Sequence, residues 1–228
     1  MGALSALFHH MDWTRLLILV MSGVACLISL TVHELSHGLA ARRLGDPTAQ
    51  RMGRLTLNPL AHIDWVGLFL LFTVGVGWAK PVPVDMRYFK NPRTGMAITA
   101  LAGPASNFIL ALLSLGVGSI LFSARFGGQA AAYLLLFCCQ LAVLNVGLGL
   151  FNLIPVPPLD GSKVADVFLP ARAYQWVLRY ERYFMIAVIA LAWLGVLAGP
   201  LNRAVAGIVQ GMCALTRFPF ELVAYYFF

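Results

Sequence analysis

His33, Glu34 and His37 stand close together in TVHELSHGLAARRLGD, residues 31–46, and spell the pattern H-E-x-x-H. On a helix, residues four apart share a face, so both imidazoles can hold one Zn²⁺. Glu34 lies about 100° around the same helix, beside the metal position rather than on it. A carboxylate there can act as general base toward a water activated by the metal. The five-letter pattern is short, but here it closes an apolar run. Ionisable groups in such a segment are costly and mark functional sites. The alternative is a set of helix-end polar residues satisfied at an interface.

Two histidines leave a catalytic zinc one protein ligand short, because such sites usually have three ligands plus water. Asp160 is the candidate. It follows Pro155, Pro157 and Pro158 in NLIPVPPLDG, residues 152–161, where the prolines break the end of an apolar run. Broken backbone at membrane depth is tolerated only where protein or water buries it, so Asp160 is expected to line a polar cavity. The competing reading is a loop aspartate capping the next helix. In AGPASN, residues 102–107, Gly103 and Asn107 share a helical face. The glycine permits close helix approach. The Asn107 amide either donates to a substrate carbonyl or developing oxyanion, or bonds a neighbouring helix. His62, in NPLAHIDWVG, and Lys80, opening KPVPV, are accessory or gate candidates, and His62 reads as structural or substrate-facing rather than as a ligand.

These residues sit in a chain of 228 residues that is 60% hydrophobic and only 11% charged, with a mean hydropathy of +0.82. Soluble proteins carry about 25% charged residues. Uncharged runs at 16–32, 101–122, 129–154 and 183–199 approach or exceed what a spanning helix needs. The expected fold is therefore an all-α polytopic membrane protein, a helical bundle of about 4–6 transmembrane segments. The segment 65–79 is too short to cross and predicts a re-entrant or β-hairpin element. The first helix is expected over residues 12–44, ending at Gly45. It lacks a basic leader region and reads as a retained span. The whole chain, 1–228, reads as one membrane-embedded domain, with a core over about 12–165 and C-terminal helices over 166–228.

The net charge of +7 comes from basic clusters at 42–54, 80–93 and 163–182. Lys and Arg in short loops mark the cytoplasmic side, which accounts for the charge without nucleic acid. Between His37 and Asp160 the chain crosses twice, through 101–122 and 129–154, so both are expected at that side. Cys26, Cys138, Cys139 and Cys213 form no CxxC pair and read as small buried hydrophobes.

HELSH, GPASN and NLIPVPPLDG, in this order, resemble the site-2 protease family of intramembrane zinc metalloproteases. The similarity runs over about residues 20–165, and Asn152, Pro155, Pro158, Leu159, Asp160 and Gly161 match the family's N-x-x-P-x-x-P-L-D-G signature. GDPTAQRMGRLTLNPLAHIDWVG and GWAKPVPV are similar to the compact bacterial branch without PDZ or CBS modules. The resemblance implies one Zn²⁺ per chain held by His33, His37 and Asp160, with Glu34 activating water. It also implies that Asn107 and Asn152 help hold the substrate strand or stabilise the intermediate. The expected reaction is hydrolysis of a peptide bond within or beside a transmembrane segment of a membrane-protein substrate. The expected setting is the lipid bilayer of a bacterial inner membrane, with the site near the cytoplasmic face. A catalytically inactive binding or chaperone protein of the same fold is the main rival. A metal transporter is a second, and it predicts polar residues on both sides of the zinc; the outer halves of the spans are expected to hold almost none.

Overall fold

The computed structural model describes residues 12–67, 79–125 and 127–228. Helix α1, Trp13–Arg43, starts where the Asp12 side chain accepts from the amides of Thr14 and Arg15. It ends with Arg42 and Arg43 against the negative end of the helix dipole, followed by Gly45 at φ +105°. Its 31 residues make it about 46 Å long, more than the ~30 Å bilayer core.

A short helix α2, Thr48–Arg51, follows, and then a 3₁₀ turn at Pro59–His62. Of the expected re-entrant element, residues 68–78 lie outside the described residues. Its flanks meet: Ile63 and Ala79 form an antiparallel bridge, and the Lys80 amide donates to the His62 carbonyl at 2.9 Å. No β-strand occurs among the described residues beyond this bridge.

Helix α3, Pro92–Ser123, begins well before the expected 101. Pro92 is a helix starter at the first position, and Asn91 caps by accepting from the Thr94 amide at 3.3 Å. Helix α4, Gln129–Asn152, returns antiparallel to α3 and agrees with the expected 129–154. Short helix α5, Asp160–Ala165, follows the proline-rich break.

The expected crossing over 183–199 is not one straight helix. Helix α6, Ala171–Trp193, and helix α7, Ala198–Thr216, meet at an 80° bend. The break includes Gly195 at φ +72°, a conformation that only glycine adopts without strain. Helix α8, Phe220–Phe227, completes the described chain. Helices α1, α3 and α4 are each long and apolar enough to span a membrane, and the α6–α7 pair gives a fourth candidate.

The packed core lies between α3, α4 and α7: Ala111, Leu115, Ala142, Val146, Val205 and Val209 are all buried together. Phe218 and Val223 bring α8 onto the same cluster. The architecture is the expected all-α polytopic bundle.

Candidate functional site: a His-His-Asp cluster at a helix break

His33 and His37 lie on one face of α1, about 30 Å from its start, both buried. Their rings are 4.6 Å apart and nearly perpendicular, at 88°. Each Nε2 lies 3.1 Å from the same Asp160 oxygen, Oδ2. The break after α4 delivers that carboxylate, as its position behind Pro155, Pro157 and Pro158 suggested. Close fit is required there: a Cβ at Gly161 would lie 2.2 Å from the Leu153 carbonyl oxygen.

The other imidazole nitrogens are committed. His37 Nδ1 donates to the Thr99 carbonyl at 2.8 Å, which can only accept. Pro104, in the next turn, has no N–H for the Ala100 carbonyl and loosens the helix locally. His33 Nδ1 donates to Asn107 Oδ1 at 3.0 Å. In the neutral rings each Nε2 then presents a lone pair, and both lone pairs face a carboxylate oxygen. Three acceptors converging in a buried site repel one another unless a cation lies among them. Tetrahedral ligands at about 2.1 Å from zinc stand roughly 3.4 Å apart, close to the observed 3.1 Å. The donor set fits Zn²⁺.

Gly103 makes room for this pair. A Cβ there would lie 2.5 Å from His37 Nε2 and 2.7 Å from His33 Cε1, so α3 can approach α1 only with glycine at this position.

Glu34 also has a carboxylate oxygen within 4.8 Å of the imidazole nitrogens. Its Oε2, however, accepts from the Val82 amide at 2.9 Å. Asp160 closes onto both histidines, whereas Glu34 is drawn aside toward residues 79–85. That segment is held at both ends. Arg54 Nη2 donates to the Lys80 carbonyl at 2.8 Å, and the Asp85 amide donates to Asp46 Oδ2 at 2.7 Å. Asp85's own carboxylate is taken up by Arg87, which holds its pKa below the usual carboxylate range.

The cluster opens into a cavity of about 390 Å³ lined by His33, Glu34, His37, Asn152, Asp160 and Lys163, with Pro81, Val82 and Val84 forming one wall. Asn152 lines the cavity from the end of α4, with its Nδ2 donating to the Leu148 carbonyl at 3.0 Å. Asn107 is fully buried behind His33 and does not line the cavity. Of its two possible roles, the interhelical hydrogen bond is the one present. His62 is buried, and its Nε2 donates to the Thr56 carbonyl at 2.9 Å, outside the cluster. The Lys80 side chain is exposed, and among the described residues only its backbone joins the hydrogen bonds around the site.

Three contributors escaped the sequence reading. Lys163 Nζ lies 3.1 Å from Asp160 Oδ1, a pairing that i,i+3 spacing on α5 can signal. The Thr99 and Val82 contacts use backbone groups, which residue types do not advertise.

The model of peptidase family M50 matches residues 22–133 and 117–195. The chain belongs to peptidase family M50. It is thus an integral membrane protein of the site-2 protease family that its motifs resemble. "Putative zinc metalloprotease YwhC" of Bacillus subtilis is 39% identical over 171 residues, covering 74% of this chain and 78% of that protein. "Putative zinc metalloprotease Rip2" of Mycolicibacterium smegmatis is 30% identical over 222 residues, 95% of this chain and 76% of the relative. "Zinc metalloprotease MJ0392" of Methanocaldococcus jannaschii is 27% identical over 166 residues, 73% of this M50 chain and 38% of the relative. No solved structure gives a significant match.

Proposed function

We propose that this M50 peptidase cleaves a membrane-protein substrate within or beside a transmembrane segment, using one Zn²⁺ held by His33, His37 and Asp160. The observation that carries the proposal is the convergence of both Nε2 atoms on Asp160 Oδ2, deep along a spanning-length helix and open to a cavity. The relatives' names, which specify zinc, support the choice of metal. Zinc, when bound, lowers the pKa of water and polarises a carbonyl.

The chain's own residues supply the rest. Glu34 stands beside the cluster as the base that takes the proton from water and returns it to the leaving amine. Asn107 and the Thr99 carbonyl fix the histidine tautomers, leaving both Nε2 atoms free to ligate. Lys163 steadies Asp160 through its other oxygen. Asn152, on the cavity wall, is placed to hold substrate. A helical substrate hides its carbonyls in its own hydrogen bonds, so it must unwind locally. Residues 79–84 offer an extended wall for the unwound chain. The binding or chaperone alternative leaves the intact Glu34 and the metal-fitting donor set without a purpose.

Residues 1–228 act as one domain in this proposal, set in a bacterial cell membrane. The arginines near the end of α1 and the basic residues of 163–182 support a site near the cytoplasmic face. Single-cysteine labelling, in a background without native cysteines, should report Thr48 and Ser162 on one side and Gly127 on the other. Opposite sides for Thr48 and Ser162 would break the proposal.

The chemical test is Glu34→Gln. It should abolish cleavage of a reporter in which one apolar helix of about 20 residues joins two soluble domains, while metal analysis still finds zinc. Retained cleavage would show that another group activates the water.

A further inference from the structure

The segment that walls the cavity carries a peculiar donor pattern. Pro81 and Pro83 have no amide hydrogen, so Val82 supplies the single backbone donor of residues 81–83. That donor is spent on Glu34 Oε2, at 2.9 Å. The geometry around it is fixed from several sides. Proline sets φ at 81 and 83, and Pro83 biases Val82 itself toward extended backbone. Upstream, the Lys80 amide donates to the His62 carbonyl and the Lys80 carbonyl accepts from Arg54. Downstream, the Asp85 amide donates to Asp46, which is fully buried. Val82 is itself buried. The amide is therefore aimed at α1 by a segment with little freedom to move.

Glu34, by contrast, has a long side chain on a helix face and several rotamers open to it. We propose that the Val82 amide is the positioning group for Glu34, resting on the reading of Glu34 as the base. It holds Oε2 by a charge-assisted hydrogen bond and leaves Oε1 as the oxygen that takes the proton. The residues that wall the substrate cavity thus also set the angle of the base, and the alternating prolines serve both ends. They keep the backbone extended, and they remove rival donors from the carboxylate.

Two measurements test this on the full chain in detergent. The first needs no activity. Hydrogen exchange of the Val82 amide, followed by NMR on valine- and lysine-labelled protein, is compared between wild type and Glu34→Leu. That variant keeps side-chain bulk but accepts no hydrogen bond. Exchange at Val82 should rise about ten-fold or more while the Lys80 amide, bonded to His62, is unchanged. An unchanged Val82 amide, or both amides opening together, overturns the proposal.

The second is Val82→Pro, which removes the hydrogen. With the transmembrane reporter as substrate, kcat should fall roughly 10- to 100-fold, the range for lost orienting contacts. Bound zinc should stay as in wild type, and a backbone ester at Val82, which keeps the valine side chain on the cavity wall, should lower kcat with KM unchanged. If Val82→Pro loses zinc, the ester, which removes the same hydrogen without a second ring, is read instead. An unchanged or higher kcat overturns the positioning role. Glu34→Gln is run alongside: cleavage by that variant would refute Glu34 as base, while the exchange result would still decide whether the bond exists.

Discussion

Helices α1, α3 and α4 bury polar side chains at two levels, and the two levels are built differently. At the end near α5, His33, His37 and Asp160 converge, with acceptor atoms aimed at one point, and Asn107 backs His33 through its other ring nitrogen. Farther from α5 along the helices, the polar residues form separate pairs. Gln140 Nε2 donates to Ser22 Oγ, Asn145 Nδ2 to Ser29 Oγ at 2.8 Å, and Ser114 Oγ to the Cys138 carbonyl at 2.9 Å. Ser22, Gln140 and Ser114 correct the expectation that the far halves of the spans hold almost no polar residues. They do not revive a transport path, because each pair ties one helix to another. Burial of polar groups alone therefore does not mark a site in this bundle. Convergence of like groups that cannot satisfy one another does.

The largest effect expected from breaking the convergent level is at Asp160. Asp160→Ala leaves two histidines, which hold zinc poorly. Bound zinc should drop from stoichiometric to a small fraction in metal analysis, and reporter cleavage should vanish with it. Stoichiometric zinc in this variant would move the third ligand elsewhere, with Glu34 the next carboxylate to examine.

That the three donors could be found before the structure rests on side-chain identity and parity. HELSH puts both imidazoles on one helix face, and two crossings return the chain to the same side. The boundaries of α1, expected at 12–44 and found at 13–43, followed from Gly45 and the apolar run before it. What stayed hidden has physical causes. The first turns of α3 carry Arg93 and Thr94 and look like loop, while Pro92 reads as a breaker although it starts the helix. The α6–α7 bend hinges on a single glycine within an apolar run, where hydropathy is blind to φ. The hydrogen bonds from Val82 and to Thr99 use backbone atoms present in every residue. The separate pairs were missed because isolated Ser, Gln and Asn barely lower a run's mean hydropathy.

A smaller effect is expected at the rim of the convergent level. Asn107→Leu keeps the bulk behind His33 but removes the acceptor for its Nδ1. The tautomer is then no longer fixed. Zinc affinity should weaken by roughly 10- to 100-fold, as for other groups that orient a metal ligand. Competition with a chelator measures this directly, and activity should return when zinc is supplied in excess. If affinity is unchanged, Asn107 acts elsewhere, and the substrate-facing role of its fully buried Nδ2 regains weight.

The smallest effect belongs to the paired level. Asn145 is fully buried, and its amide nitrogen serves Ser29 on α1 and the Leu141 carbonyl on its own helix. Its Oδ1 has no hydrogen-bond partner among the described residues. Asn145→Leu therefore gives up one interhelical hydrogen bond and at the same time removes an uncompensated carbonyl dipole. Interhelical hydrogen bonds of this kind average about 0.6 kcal/mol, so the net change in unfolding free energy should stay below about 1 kcal/mol. Zinc content and reporter cleavage should match wild type. The contrast with Asp160→Ala is what separates the two levels, since both residues are buried, polar and at helix interfaces. A loss of zinc or activity in Asn145→Leu would show that the paired level communicates with the donor cluster. Ser29, one turn from His33 on α1, is the contact through which that would have to pass.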